Sequence, residues 1–384
     1  MASGLLISAL VSRLPALRDD LALDHASVGL LLLCMTGGSF AAVSFAGRFV
    51  LRWGATRIMQ LGATLAGFGL LMVGLGAGAL GNIVVTGIFL ALQGAGTATW
   101  NVASNVQGAA MERALGRSIM SVLHGFFSIG TVIGAGLGVF AAAVDLPLTV
   151  HYPVMGLIVA GTVLISSRYF GPDGSRRSTE HRGGGMRQAW REPRTVLLGV
   201  LVLGMALAEG AAGDWVALAL ADGYDTSEAT GALGYGIFVT AMTITRLLGG
   251  ELVHRFGRVA MIRASALSAL LGVLVFAWGD HLPLAFVALA IWGMGVALSF
   301  PLAMSAASDD PVRAASRVSV VSTIGYGAFL GGPPLLGLLA HAIGLLPALS
   351  CIGLLLVMAF LLAGNARGHE AVESTDHDEE TSEV

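Results

Sequence analysis

The sequence predicts an all-α membrane protein of twelve transmembrane helices, arranged as two pseudo-symmetric six-helix halves. Three observations predict it. Hydrophobic residues make up 55% of the 384 and charged residues 12%, against about 25% charged in a soluble chain. The apolar residues fall in runs of roughly 18 to 25, the length that crosses about 30 Å of hydrocarbon as a helix. Landmarks in the first half also recur about two hundred residues later, the mark of a duplicated unit.

Breaking the hydropathy at charged and Gly/Pro-rich segments gives spans at 1–17, 26–47, 58–77, 82–108, 118–142 and 151–169, then at 195–220, 229–250, 259–278, 283–307, 317–340 and 345–364. The organisation that follows is an N-terminal half over 1–169, a linker over 170–194, a C-terminal half over 195–364 and a disordered acidic tail over 365–384. The linker is polar, glycine-rich and cationic, with a short surface helix expected at Met186–Trp190. The 54 glycines suit membrane packing, where small residues let helix backbones approach.

All 21 basic residues are arginine. With both termini inside, eighteen of them fall on the cytoplasmic side and only Arg18 falls outside, while Arg13 and Arg246 lie within spans. Cytoplasmic loops accumulate such residues, so the expected location is a bacterial inner membrane with cytoplasmic termini. Met1 to Ala16 lacks the basic leader and small-residue cleavage site of a signal peptide.

The repeat is explicit in three places. Gly47-Arg-Phe-Val-Leu-Arg52-Trp-Gly54 matches Gly250-Glu-Leu-Val-His-Arg255-Phe-Gly257 at an offset of 203. In spans 4 and 10, Gln93-Gly94-Ala95-Gly96 matches Trp292-Gly293-Met294-Gly295, and in spans 5 and 11 Gly130-x3-Gly134 matches Gly327-x3-Gly331. At the offset of 203, Met1 pairs with Gly204, so Thr195–Leu203 has no counterpart and span 1 is expected to be short, with further residues upstream in the full gene product.

These loops resemble the G-x-L-x-D-R-x-G-R signature of the major facilitator superfamily, with Leu51 and His254 at its acidic position. The superfamily's span-4 arginine position holds Leu90. Asn101-x3-Asn105-x6-Glu112-x4-Arg117-x6-His124-Gly125-x2-Ser128-x-Gly130 and Glu209-x4-Asp214-Trp215 are similar to the fucose-permease branch of sugar–proton symporters. The resemblance implies the major facilitator fold, alternating access about a central site, and a secondary active transporter. Fucose-type symporters carry carboxylates in spans 1 and 4, which this chain lacks.

A polar side chain deep in a bilayer costs free energy unless paired or solvated, which makes each one a candidate. In span 4, Gln93, Thr97, Asn101 and Asn105 follow at i+4 beside Trp100. Amides with an indole suit a sugar-like solute; helix–helix hydrogen bonding is the alternative. Span 5 offers Ser121, His124, Ser128 and Thr131, with His124 either binding solute, relaying a proton or serving structure. Glu209 near the midplane and Asp214 nearer the outer mouth are the proton-coupling candidates, with a structural ion pair as the alternative. Arg246, on one face with Thr240 and Thr243, is expected to hold a polar or anionic solute, close a gate, or snorkel to the surface. Trp292 joins the solute-binding set through its match to Gln93. Arg52, Glu112, Arg117 and Arg255 form the expected cytoplasmic gate.

The sequence has no nucleotide-binding GxxxxGK[ST] loop, Gly-x-Ser-x-Gly elbow, HExxH or Cys-x-x-Cys. Cys34 and Cys351 lie in apolar runs, where a thiol packs as a small hydrophobe. No catalytic centre, metal or cofactor is expected. The expected partners are a small-molecule solute, protons and the lipid bilayer, with no nucleic acid, and the chain is expected to act as a monomer. The expected function is proton-coupled permeation of a small polar, sugar-like solute; export of drugs or metabolites by proton antiport is the alternative.

Overall fold

The computed structural model describes residues 1–115, 120–170, 186–310 and 313–367. Among these, eleven helices are long and apolar enough to cross a membrane, and Ala2–Val11 is a shorter apolar helix. In chain order the spans are α1 (Ala2–Val11 and Leu14–Asp20), α2 (His25–Trp53), α3 (Ala55–Gly78), α4 (Ile83–Leu115), α5 (Met120–Ala143) and α6 (Leu148–Ser166). The second six are α7 (Pro193–Gly223), α8 (Glu228–Phe256), α9 (Arg258–Trp278), α10 (Leu282–Val296 and Ser299–Ala307), α11 (Ala314–Ile343) and α12 (Leu345–Ser350 and Ile352–Leu362). A one-turn helix, Met186–Ala189, precedes α7 as expected. Most of the linker and nearly all of the acidic tail lie outside the described residues.

The duplication is visible in backbone detail. Ala22 and Asp225, 203 positions apart, both take positive φ (50° and 51°) after α1 and α7. Two residues on, Asp24 caps α2 by accepting from the Ser27 N–H at 2.9 Å, and Ser227 caps α8 by accepting from Thr230 N–H at 3.3 Å. Gly54 and Gly257 turn α2 into α3 and α8 into α9 with φ of 89° and 78°, a conformation that favours glycine. A Cβ on Gly69 would lie 2.7 to 2.8 Å from the backbone and Cβ of Gln93, and one on Gly272 would lie 2.6 to 2.7 Å from the same atoms of Trp292. Equivalent glycines thus let α3 and α4, and α9 and α10, pack at the same close approach.

Both glycine turns lie at the end of the bundle where α6 stops and α7 starts. Gln60, near the start of α3, donates to Ser167 at 2.7 Å, and Arg258, at the start of α9, shares Asp309 with Arg194 of α7. That end is the linker face, and the opposite end is the distal face.

The expected spans hold with three physical corrections. α2, α4 and α8 run several residues past their expected ends, to Trp53, Leu115 and Phe256, because the charged residues there ride on continuing helix into the aqueous layer. α1 bends at Ser12–Arg13, where Pro15 has no N–H for the Val11 carbonyl, and the Tyr152 hydroxyl donates to the neighbouring Leu10 carbonyl at 3.0 Å. α10 is interrupted at Ala297–Leu298, again four residues before a proline, Pro301.

The halves meet along two seams, α2 against α11 and α5 against α8. On the first, a Cβ on Gly29 would lie 2.8 Å from the Pro333 carbonyl, and one on Gly337 would lie 2.6 Å from the His25 carbonyl. Both contacts are at the distal end. Ion pairs also join the halves there: Arg13 with Glu228, Arg18 and His25 with Asp222, and Asp24 with His341. At the linker face, Arg194 and Arg258 pair with Asp309, Arg313 and Arg317 with Glu192, and Arg313 with Asp310, all within the C-terminal half. The structure is therefore closed at the distal face.

Candidate functional site

From Arg194 to Ala221 no residue of α7 is exposed, and several of its positions are half-buried. Glu209 is one of them, one residue past the middle of α7. Its carboxylate Oε1 accepts from Arg246 Nη2 of α8 at 2.7 Å, with 24% and 29% of the two side chains exposed. A charged pair at mid-bilayer persists when each member neutralises the other and some water reaches it.

A proline holds Arg246 in place. Within a helix the Ala297 carbonyl would accept from the residue four positions on, which is Pro301 and has no N–H. The helix breaks instead, and Arg246 Nε donates to the freed carbonyl at 3.3 Å. Its guanidinium therefore bridges α7 and α10 and does not snorkel to the linker face.

Aromatic rings stand on the neighbouring helices. Phe300, three residues after the α10 break, lies 6.3 Å from Tyr326 of α11 between ring centroids, and Tyr326 lies 6.4 Å from Phe329. Phe329 reaches α7 at Gly210, the residue after Glu209, where a Cβ would meet its ring at 3.0 Å. Asp214 is half-buried further along α7, and the buried phenol of Tyr235 on α8 lies within electrostatic reach of both carboxylates. The outcome is a carboxylate, a guanidinium and a half-exposed aromatic surface on four helices of one half.

The other expected site residues are distributed differently. Gln93 is 1% exposed in the α3–α4 seam, where its Nε2 donates weakly to Thr97 at 3.4 Å and its Oε1 is enclosed without a partner. Trp100 is 5% exposed in the same seam, over Gly62, and Trp292 is fully buried against Phe238 and Phe276. The Gln93 Oε1 and the Trp292 Nε1 are enclosed without partners in this conformation. The i+4 stripe explains this: each step advances the face by 40°, so three steps turn it by 120°. The stripe thus starts in the seam at Gln93 and ends at Asn105, which is exposed, with Asn101 half-buried between. Both asparagines continue the face on which Gly94 packs against α2 at Met35.

Ser128 is buried on α5, two turns before Ala135, whose methyl group a Cβ on Gly236 of α8 would meet at 3.7 Å. Arg117 and the side chains of Glu112, Ser121 and His124 lie outside the described residues. Arg52 and Arg255 are exposed and lie over their own neighbours' rings, at 5.9 Å from Trp53 and 5.3 Å from Phe256. Among the described residues, Glu192 and Asp309, which the sequence reading missed, also anchor charge at the linker face. The hydrogen bond from Arg317 holds the Glu192 carboxyl below its ordinary value.

The Major Facilitator Superfamily profile matches residues 1–333. The chain belongs to that superfamily. An uncharacterised transporter of Sinorhizobium fredii, y4wD, is 32% identical over 366 residues, covering 94% of both chains. The solved nucleoside transporter NupG superposes with a TM-score of 0.73 at 15% identity, covering 95% of this chain and 97% of that one. A variant of the E. coli Fucose:proton symporter FucP superposes with a TM-score of 0.62 at 16% identity, over 95% of this chain and 97% of that one. This major facilitator protein is a multi-pass membrane transporter and not an enzyme, and its relatives at these structural identities share its fold.

Proposed function

We propose that this transporter moves a small polar, sugar-like solute across the bacterial inner membrane, coupled to protons, with the linker face cytoplasmic and the distal face outward. The observation that supports this most is the Glu209–Arg246 pair at mid-span beside Phe300, Tyr326 and Phe329. A carboxylate and a guanidinium bond hydroxyl groups while an aromatic face packs against the apolar face of a sugar ring. Asn101, half-buried, and Asn105, exposed, stand toward the linker end of α4 and offer further amides from the other half as the carrier cycles.

The pair also supports coupling. A proton on Glu209 frees Arg246 for solute, and loss of that proton restores the pair, so protonation and solute occupancy exchange through one guanidinium. Asp214 lies distal to Glu209 along α7, on the proton's way in. The aromatic surface favours the second reading, export of an apolar drug, but Arg246 within the site repels a cationic one.

A thermal-shift screen of the purified protein against monosaccharides, polyols and cationic drugs tests the solute class. Stabilisation by a sugar or polyol is expected; stabilisation by drugs alone overturns the sugar-like reading. In proteoliposomes, Glu209→Gln is expected to abolish accumulation driven by a pH gradient while solute exchange persists. Undiminished accumulation with unchanged pH dependence would assign Glu209 a structural role.

A further inference from the structure

Charges cross the distal closure beside its Gly29 and Gly337 backbone contacts, and the most enclosed of them, Arg13, is absent from the site above. Arg13 stands at the α1 bend with 4% of its side chain exposed. Its Nε donates to Glu228 Oε1, its Nη2 donates to the Leu146 carbonyl at 2.9 Å, and its Nη1 is buried without a partner. Glu228 is the first residue of α8, where the helix N-terminus favours a carboxylate. The pair joins the two halves, so the distal seam cannot part while it holds. Glu228 itself is 25% exposed, so the enclosed charge is that of Arg13; no member of the other described inter-half pairs is as enclosed, with Arg18–Asp222 at 18% and 23% of the side chains, His25–Asp222 at 25% and 23%, and His341–Asp24 at 62% and 46%.

An enclosed charge is costly unless it stays paired, whereas exposed pairs contribute little. Neutralising Glu228 leaves the Arg13 charge enclosed with a carbonyl and, beyond hydrogen-bond reach, only the Asp20 carboxylate as counter-charge. That penalty is relieved when the seam parts and water reaches the guanidinium. The charged and titratable groups around the pair are Asp19 and Asp20 on α1, whose negative charge repels that of Glu228, and His151 and Tyr152 on α6.

We propose that Glu228 is the carboxylate through which a proton from the distal side opens the carrier: ionised, it clamps Arg13 and holds the distal seam shut; protonated, it releases the seam. The proposal deepens the proton-coupled reading by adding a gate proton, separate in place from Glu209. The two histidine pairs act in the opposite sense, because protonating His25 or His341 strengthens their contacts with Asp222 and Asp24. Acid opening therefore excludes the two histidines as its source, and the Glu228 substitutions separate Glu228 from His151, Asp20 and Asp222, whose protonation also weakens the distal contacts.

The test measures distal separation in lipid nanodiscs by pulsed electron paramagnetic resonance. Spin labels go on cysteines at Leu80 and Asp280, exposed distal loop positions of the two halves, with Cys34→Ala and Cys351→Ala removing the native thiols. In the otherwise wild-type protein, the ratio of long to short distances is expected to rise by up to about tenfold per pH unit on acidification, the limit for opening linked to one proton. Glu228→Gln is expected to give predominantly long distances at every pH, with acid shortening them if it changes them at all. Glu228→Asp is expected to restore an acid-induced rise. A wild-type distance distribution that does not lengthen with acid overturns the proposal, as does a Glu228→Gln protein that stays closed or still opens with acid. Because this readout needs no solute, a carrier that opens as expected but whose accumulation ignores the pH gradient leaves the Glu228 gate standing and removes the coupling role of Glu209.

Discussion

At the distal end of the seam, charges cross from one half to the other; at the linker end, the named pairs stay within the C-terminal half. The distal pairs Arg13–Glu228, Arg18–Asp222, His25–Asp222 and Asp24–His341 belong to loops and helix ends that separate in an alternating-access cycle. The linker-face pairs on Asp309 and Glu192 tie α7, α9 and the 309–317 segment to one another. One set therefore fixes which state the carrier occupies. The other fixes the shape of one half and moves with it.

The largest effect should come from the backbone crossing beneath the distal charges. Gly337→Leu places carbon where the His25 carbonyl and Gly29 now stand, and overpacking a tight contact costs about 1–3 kcal/mol. The Leu80–Asp280 distance should lengthen, with the open-to-closed ratio raised at least about fivefold. An unchanged distance would show that the crossing does not hold the distal face shut.

Asp309→Asn should come next, and it should act on stability alone. It weakens hydrogen bonds from Arg194 and Arg258, each about 1.5–3 kcal/mol when charged and lower for part-exposed partners. Thermal unfolding in detergent should fall by several degrees while the distal distance distribution stays as in wild type. A shift in that distribution would join the two ends that the structure keeps apart.

Asp222→Asn removes the inter-half partner of His25 and of Arg18, which keeps Asp19, and part-exposed pairs of this kind contribute about 0–1 kcal/mol each. The open-to-closed ratio should rise about two- to fivefold, below the effect of Glu228→Gln. A larger effect than Glu228→Gln would move the clamp to Asp222.

The smallest effect is a pH dependence at the linker face. Glu192 is held below its ordinary carboxylate value, so its contribution to stability is present in full above that ordinary value and is lost as pH falls through its lowered folded-state value. Glu192→Gln should therefore lower the melting temperature slightly at pH 7, with the difference from wild type vanishing in strong acid. A difference that persists there would make the role one of packing.

The spans, their pairing into halves and the linker-face turns were legible because bilayer thickness sets helix length and a duplicated chain keeps its offset. The 203-residue offset even extends to caps not read at first, Asp24-x2-Ser27 and Ser227-x2-Thr230. The site was legible only in part. Glu209 and Arg246 stood out because charges are rare in apolar runs. Phe300, Tyr326 and Phe329 did not, because an aromatic residue in a membrane helix carries no local sign of what it faces. Gln93, Trp100 and Trp292 carry no local sign of what they face either: their chemistry suits a solute, and in this conformation they pack in seams against Gly69, Gly62 and Gly272.

By itself the sequence determined that this chain crosses a membrane about twelve times, that its two halves are copies, and that Arg13, Glu209 and Arg246 lie within apolar spans. Those properties are set by length, hydropathy and repetition, which are read along the chain. Only the tertiary structure decided that Arg246 meets Glu209 through a carbonyl freed by Pro301, and that Arg13 meets Glu228 across the halves. The partners of the two ion pairs stand 37 and 215 residues apart. Such pairings depend on the rotation of each helix about its axis and on which face of one half meets the other, and no periodicity along a single helix encodes either.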